Sequence, residues 1–139
     1  MSPVDVSARE RDAHTEAAEA CTERAVSFPC AGEDLVGVLA LPQTARPVGV
    51  VIVVGGPQYR GGSHRQFVLL ARALARAGFP ALRFDHRGAG DATGAMRAFT
   101  DIDDDIGAAI DELCRACALD RVVLFGLCDA ASAALVRGI

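Results

Sequence analysis

The nine residues at 122–130, VVLFGLCDA, decide the fold that the sequence predicts. Their apolar first half, residues 122–125, is typical of a buried strand, and the alanine-rich segment that follows the nine favours a helix. Gly126 and Ala130 stand two positions on either side of Cys128, and small residues at these positions make room for a sharp turn with a strained backbone. The spacing therefore predicts a nucleophile elbow with cysteine at its tip.

Length and composition indicate one globular domain. The chain has 139 residues, of which 51% are apolar, yet no apolar run approaches the roughly 18 residues of a membrane span. The N-terminus lacks the basic and then apolar pattern of a secretory signal. Five cysteines, an odd number, favour free thiols over a disulfide framework in such a chain. We therefore expect a cytoplasmic protein without a membrane span.

Charge is concentrated at the N-terminus. Residues 1–23 carry six acidic residues and two arginines, and the other twelve acidic residues are balanced by twelve arginines, from totals of 18 and 14. An acidic, alanine-rich segment buries little apolar surface, so residues 1–23 are expected to be a disordered leader. Residues 24–139 are expected to form the folded domain. Its balanced charge argues against nucleic acid as a partner, because nucleic-acid binding requires a basic face.

The order of elements predicts an α/β fold, a mostly parallel sheet with helices on both faces that follows an antiparallel hairpin. Ser63 and Gln66 have capping-box spacing, which predicts the start of a helix. A second helix is predicted from about Thr100, where four aspartates crowd the first turn. The strands are expected at residues 24–30, 35–41, 48–54, 80–85 and 121–125.

Three motifs follow the last three predicted strands in order. They are the segments Gly55-Gly56-Pro57-Gln58, Asp85-His86-Arg87-Gly88-Ala89-Gly90 and the turn at Cys128. Together they resemble the first half of an α/β-hydrolase. The segments GGPQY at 55–59, SHRQF at 63–67, DIDDDI at 101–106 and GLCD at 126–129 are most similar to the exosortase A system-associated hydrolases, type 1. The resemblance covers residues 24–139 and implies an incomplete α/β-hydrolase fold preceded by the hairpin. It also implies a bacterial acyl hydrolase, acting on an ester or thioester, whose gene accompanies exopolysaccharide production.

The resemblance assigns chemical roles to residues of two loops. Cys128 is expected to be the nucleophile, because backbone amides at a helix N-terminus stabilise a thiolate. The oxyanion hole would use the backbone N–H of Asp129 and a second N–H from the loop after the third strand. Pro57 occupies the usual position of that second donor and has no N–H. Gln58 or Gly56 is expected to replace it, and Gln58 is favoured.

Other polar residues of these loops are expected to shape the site. His64 and Tyr59 are expected beside the substrate pocket, and His64 is the nearer of two candidate histidines, the other being His86. Either could serve as a base, although the superfamily gives that role to a histidine after its last strand. Asp85 is expected to fix its loop through backbone hydrogen bonds rather than to act as the triad acid.

The triad acid and histidine of the superfamily follow the elbow helix. Only residues 129–139 follow Cys128, and they contain no histidine. We therefore expect these 139 residues to be part of a longer enzyme and to be nearly inactive alone. Hydrolysis and acyl transfer of a small-molecule acyl substrate both fit the pattern. The alternative is a non-catalytic binding or scaffold module that retains half of the fold.

No metal or cofactor is expected. Helix-start electrostatics explains the aspartates at 101–105 without a metal. Cys114 and Cys117 have redox-motif spacing but no second pair that would complete a zinc site. Gly88-Ala89-Gly90 lacks the third glycine of a dinucleotide site, because Thr93 stands at that position. A phosphate loop is excluded because the sequence has no lysine.

Overall fold

The structure, a computed structural model, describes residues 21–138. The predicted leader therefore lies outside the described residues, apart from its last three. Cys21 to Glu23 belong to the first strand and pair with Pro42 to Ala40 of the second. The first strand thus begins three residues before the strand predicted at residues 24–30, because the second strand is long enough to pair with these residues as well.

The described residues form five strands and three helices. The strands are β1 Cys21–Cys30, β2 Glu33–Pro42, β3 Val48–Val53, β4 Ala81–Asp85 and β5 Arg121–Gly126. The helices are α1 Gln66–Arg76, α2 Asp103–Ala116 and α3 Asp129–Gly138, and short 3-10 turns at Ser63–Arg65 and Phe99–Asp101 precede α1 and α2. None of these helices combines the length and the apolar character that crossing a membrane requires.

The strands lie in the order β1-β2-β4-β3-β5. Strands β1 and β2 pair antiparallel, as do β2 and β4, whereas β3 pairs parallel with both β4 and β5. This is the predicted sheet, an antiparallel hairpin joined to a parallel core. Carboxyl ends of parallel strands meet at one edge, so the loops after β3, β4 and β5 lie together.

The hairpin connection is shorter than the sequence indicated. The ladder continues to the pair Cys30 and Glu33, so only Ala31 and Gly32 form the loop. Both have positive φ, 49° and 82°, as a two-residue type I′ turn requires. This turn sets the register that carries β1 along the full length of β2.

The two faces of the sheet bury different helices. Along β3, Val51 and Val53 point to one side and join the core formed with α2 and α3. Ile52 points to the other side, where it packs with Phe67 and Ala71 of α1. Side chains alternate across a strand. The continuous β-branched run therefore supplies both cores, which is why β3 and β4 are buried on both faces.

Helix α1 begins two residues later than the capping-box spacing predicted, and Arg65 rather than Ser63 precedes its first residue. His64 and Arg65 have φ of 50° and 59°, in the left-handed region, and no side-chain hydrogen bond caps the helix. The N–H of Phe67 donates instead to the Gly61 carbonyl at 3.1 Å. A backbone carbonyl of the preceding loop thus replaces the Ser63 hydroxyl, which the spacing predicted to cap the helix.

Helix α2 begins at Asp103, after the 3-10 turn, rather than at Thr100. Three of the four aspartates lie in its first turn, as predicted from the helix dipole. Asp105 differs from the other two because its side chain is fully buried, whereas Asp103 and Asp104 are exposed.

Candidate active site

The predicted sharp turn is present at the carboxyl end of β5. Strand β5 ends at Gly126 and α3 begins at Asp129, so Leu127 and Cys128 alone make the connection. Cys128 has φ of 53°, in the left-handed region that a residue with a side chain rarely adopts, and its thiol is exposed. The Ala130 N–H closes the turn on the Leu127 carbonyl at 3.1 Å.

Two glycines allow the chain to pack this closely. A Cβ added at Gly126 would lie 2.6 Å from the carbonyl carbon of Ala130, and one at Gly55 would lie 2.7 Å from the Ala130 nitrogen. Larger residues at these positions would therefore push the turn out of shape. Gly55 belongs to the loop after β3, so that loop rests directly on the elbow.

A cavity of about 290 Å³ opens beside the elbow. It is lined by residues 54–57, His86, residues 96–99, Ile102 and Asp129. The structure thus brings together Asp129 and Gly56, two of the three residues proposed as oxyanion donors from the sequence. Gly56 has φ of 62° and open space around its Cα. Asp129 provides the first N–H of α3, where backbone amides have no intrahelical acceptor.

The other predicted pocket residues lie elsewhere. Gln58, Tyr59 and His64 are exposed, and none of the three lines the cavity. The Tyr59 ring folds back over Gly61, where an added Cβ would lie 2.7 Å from Tyr59 Cζ. The roles proposed for Gln58, Tyr59 and His64 therefore stay predictions from the sequence, and Gly56 is the candidate for the second donor that lines the cavity.

Asp85 has the structural role that the sequence predicted. Its carboxylate accepts hydrogen bonds from the Arg60 N–H at 2.6 Å, from Arg60 Nη1 at 2.5 Å and from the Asp91 N–H at 3.1 Å. Gly90 makes room for it, since a Cβ there would lie 2.2 Å from Asp85 Oδ2. Asp85 therefore ties the loop after β3 to the loop after β4.

Arg60 also reaches Asp91, with Nη1 2.7 Å from Oδ2. Burial acts to lower the pKa of Arg60, but hydrogen bonds to Asp91 and Asp85 outweigh it and raise the pKa. The guanidinium therefore remains charged and holds both loops.

A second ion pair, between Arg87 and Asp105, lies under the site and was not predicted from the sequence. Arg87 donates from its backbone N–H at 2.7 Å, Nε at 2.9 Å and Nη2 at 2.7 Å to the carboxylate of Asp105. Both side chains are buried, and the hydrogen bond to Asp105 raises the pKa of Arg87. Helical spacing could have indicated that Asp105 is buried, because it places Asp105 on the same face as Ile102 and Ala109. A charge on that apolar face needs a buried partner.

His86 is the cavity histidine. The sequence reasoning ranked it behind His64, yet His86 is 5% exposed and lines the cavity, whereas His64 is exposed on the 3-10 turn before α1. His86 Nδ1 lies 3.2 Å from the Arg87 carbonyl oxygen. The sequence signal that could have identified His86 as the cavity histidine is its position directly after β4, because that position lies at the carboxyl edge of the sheet.

The other cysteines that the structure describes do not line this cavity. Cys114 is exposed on α2, and burial raises the pKa of Cys117, which follows that helix. Within residues 21–138, no group of three or more histidine, cysteine, aspartate or glutamate side chains could hold a metal ion.

Comparison with known proteins identifies the fold. No protein-family profile and no curated protein match the chain. Solved structures match it well. A lidless α/β serine hydrolase from Xanthomonas campestris has a TM-score of 0.71 at 22% identity, over 84% of this chain and 55% of that one. An esterase from Pyrococcus furiosus has a TM-score of 0.73 at 18% identity, over 88% and 48%.

A third match is Est1E from Butyrivibrio proteoclasticus, solved with ferulic acid, with a TM-score of 0.71 at 19% identity, over 81% and 46%. The chain therefore has an α/β-hydrolase fold in partial form. It spans about half the length of the solved structures that it matches.

Proposed function

We propose that this protein is an acyl hydrolase and that Cys128 is its nucleophile. The supporting observation is the backbone of Cys128, which is left-handed at φ 53° between β5 and α3 and leaves the thiol exposed. A strained backbone of this kind persists where the surrounding structure holds it, and such sites are often functional. The thiolate would attack an ester or thioester carbonyl and expel an alkoxide or thiolate, and water would then release the acid.

The oxyanion formed in that attack requires two donors. We assign the N–H of Asp129 and the N–H of Gly56, because both residues line the same cavity. Pro57 has no N–H, and Gln58 lies outside the cavity. Fixed backbone donors of this kind stabilise the transition state because they need no reorganisation during the reaction.

The cavity suggests a small substrate. At about 290 Å³ it stands at the lower end of the range for ligand pockets, roughly 300–1,000 Å³. Short acyl groups fit such a volume. A bacterial cytoplasmic enzyme of the exosortase-associated type, linked to exopolysaccharide production, remains our prediction from the sequence resemblance. We propose no cofactor and no nucleic-acid partner.

For residues 1–139 alone we propose acylation without sustained turnover. The superfamily places the triad acid and histidine after the elbow helix, and the matched structures are about twice as long as this chain. Loss of a triad histidine lowers turnover by roughly 10⁶-fold in a comparable hydrolase. Acylation of the cysteine needs only the thiolate and the oxyanion donors.

Acetylation by p-nitrophenyl acetate tests the proposal. We expect one acetyl group on the intact protein, located by peptide mass spectrometry at Cys128. The variant Cys128→Ala should lose the modification, while Cys114→Ala, a matched change at another exposed thiol, should keep it. Labelling spread evenly over the cysteines would contradict the proposal and support the non-catalytic binding module.

A further inference from the structure

The wall of the cavity holds one histidine whose ring orientation is set by the backbone. His86 is 5% exposed, and its Nδ1 lies 3.2 Å from the carbonyl oxygen of Arg87. A carbonyl oxygen only accepts hydrogen bonds, so this contact is a hydrogen bond in the tautomer that carries its hydrogen on Nδ1. In that tautomer the lone pair lies on Nε2.

Nε2 of His86 makes no hydrogen bond with the residues that the structure describes. Among the described residues, the imidazole hydrogen-bonds at Nδ1 only, and no enclosed side-chain nitrogen or oxygen lacks a partner. Nε2 must therefore be open to solvent, and the cavity is the space that His86 lines. A buried side chain with an open acceptor facing a cavity is a ready-made hydrogen-bond site.

The position of His86 in the sheet suits recognition of an acyl chain. His86 follows β4 and Cys128 follows β5, and β3 lies between these strands. Adjacent strands are about 4.8 Å apart, which places the two strand ends on the order of 10 Å apart. An acyl group bound at the Cys128 turn would span this gap over the loop after β3.

The other walls near His86 are apolar. Of its apolar lining residues, Ile102 is buried, whereas Met96 and Phe99 are exposed. The charged residues that also line the cavity, Arg97 and Asp129, are exposed. Within the wall, His86 is thus the buried polar group, so it distinguishes a chain that bears a hydrogen-bond donor from one that bears none.

We propose that His86 Nε2 accepts a hydrogen bond from a hydroxyl group on the acyl chain, and that the site selects hydroxyacyl over unsubstituted acyl substrates. This inference rests on the proposed function, because it assumes that the acyl group reaches Cys128. A pocket that hydrogen-bonds a substrate hydroxyl rejects the analogue without it, since its own polar group is then left unpaired.

Two N-acetylcysteamine thioesters that differ by one hydroxyl, 3-hydroxybutyryl and butyryl, test the selection. The Cys128 thiolate attacks the carbonyl, the bond to the cysteamine sulfur breaks, and the released thiolate takes a proton from water. Mass spectrometry gives the rate of acyl gain at Cys128. We expect the hydroxybutyryl probe to react about tenfold faster, the effect of one good hydrogen bond.

Variants identify the residue responsible. In His86→Phe, which keeps a planar ring without an acceptor, the ratio of the two rates should fall to about one. In His86→Gln, whose carbonyl oxygen can accept, part of the selectivity should return. His64→Gln is the matched control outside the cavity, and its ratio should equal that of the unmodified protein.

A nitrogen NMR measurement extends the test to binding alone. On the unmodified protein, methyl 3-hydroxybutyrate should shift the His86 Nε2 resonance and methyl butyrate should not. This readout needs neither acylation nor a folded variant. Shifts of equal size with both esters, equal acylation rates with both thioesters, or rates that fall together in His86→Phe would overturn the assignment. A failure of both thioesters to acylate Cys128, with the Nε2 shift present, would instead overturn the proposed nucleophile.

Discussion

The centre of the sheet and its β5 side use similar residues but differ in how they are supported. All five residues of β4 are buried, and the loop after it is held by the Asp85 and Asp105 carboxylates. On the β5 side, Val123 is 45% exposed and Leu135 of α3 is 68% exposed. We call β3 and β4 the buried centre, and β5 with α3 the open side.

This difference divides the candidate site. The loop with Gly56 and the wall with His86 extend from the buried centre, whereas Cys128 and Asp129 stand on the open side. Gly55, packed against Ala130, joins the two. The oxyanion loop therefore rests on ion pairs and fully packed strands. The proposed nucleophile follows β5, the edge strand of the sheet within residues 21–138, and an open edge strand promotes association with other chains.

The largest effect on the free energy of unfolding is expected when a charge is removed from beneath the buried centre. Asp105→Ala leaves the Arg87 guanidinium buried without its partner, and we expect a loss of about 3–5 kcal/mol in the free energy of unfolding. Asp103→Ala is the matched control in the same helical turn, because Asp103 pairs with Arg137 at the surface, and it should cost less than about 1 kcal/mol. Urea unfolding measures both, and equal losses would contradict the comparison.

The second-largest difference in stability is expected for the substitution of valine by alanine in two neighbouring strands, β3 and β5. Val51→Ala in β3 removes a fully buried side chain, and we expect a loss of about 2–3 kcal/mol. Val123→Ala in β5 removes a side chain that is 45% exposed, and we expect a loss of less than about 1 kcal/mol. A similar loss for both, measured by denaturant unfolding, would show that β5 is as well packed as β3.

Because the turn at Cys128 is strained, substitution by glycine should change the free energy of unfolding in opposite directions at Cys128 and at Cys114. Glycine adopts a left-handed φ freely, so Cys128→Gly should raise the free energy of unfolding by about 1 kcal/mol. Cys114→Gly, at an exposed cysteine in the last turn of α2, should lower it by less than about 0.5 kcal/mol. Thermal unfolding of the two variants measures the difference, and a loss at both positions would argue against strain at Cys128.

Much of this division could be predicted from the sequence. The β-branched run of β3, the elbow spacing and the glycines of the turn are local signals, and the structure places each as expected. The sequence left Gly56 and Gln58 as alternatives for the second oxyanion donor, because the path of the chain after Pro57 depends on the salt bridge that Arg60 forms with Asp85, 25 residues away. Local spacing carries no record of such a contact.

The buried pair and the start of α1 were missed for a related reason. Asp105 has the sequence signature of a helix-start acid, and only its contact with Arg87, 18 residues earlier, gives it a different role. Ser63 has the spacing of a cap, but the backbone at Gly61 supplies the acceptor. Local patterns are reliable until a distant partner competes for the same group.

The smallest effect on the free energy of unfolding is expected at β1, the other edge strand of the described sheet. A hydrogen bond from Arg72 lowers the pKa of the Glu23 carboxyl below its ordinary value, although burial acts in the opposite direction. The pair therefore stabilises the fold above the unfolded-state pKa of about 4.3. That stabilisation is lost as the pH falls through the lower pKa of the folded state.

Glu23→Gln should accordingly cost less than about 1 kcal/mol at pH 7, because the pair is partly exposed. The difference from the unmodified protein should shrink below about pH 4. Urea unfolding at a series of pH values measures it. A difference that grows on acidification would contradict the sign.

The most direct test of the nucleophile compares two reactions at two exposed thiols of the same molecule, Cys128 and Cys114. Alkylation by iodoacetamide needs a thiolate only, whereas acetylation by p-nitrophenyl acetate also benefits from oxyanion donors. We predict that the ratio of the acetylation rate to the alkylation rate, determined by peptide mass spectrometry, is at least roughly tenfold higher at Cys128. An equal ratio at the two cysteines would contradict a catalytic elbow.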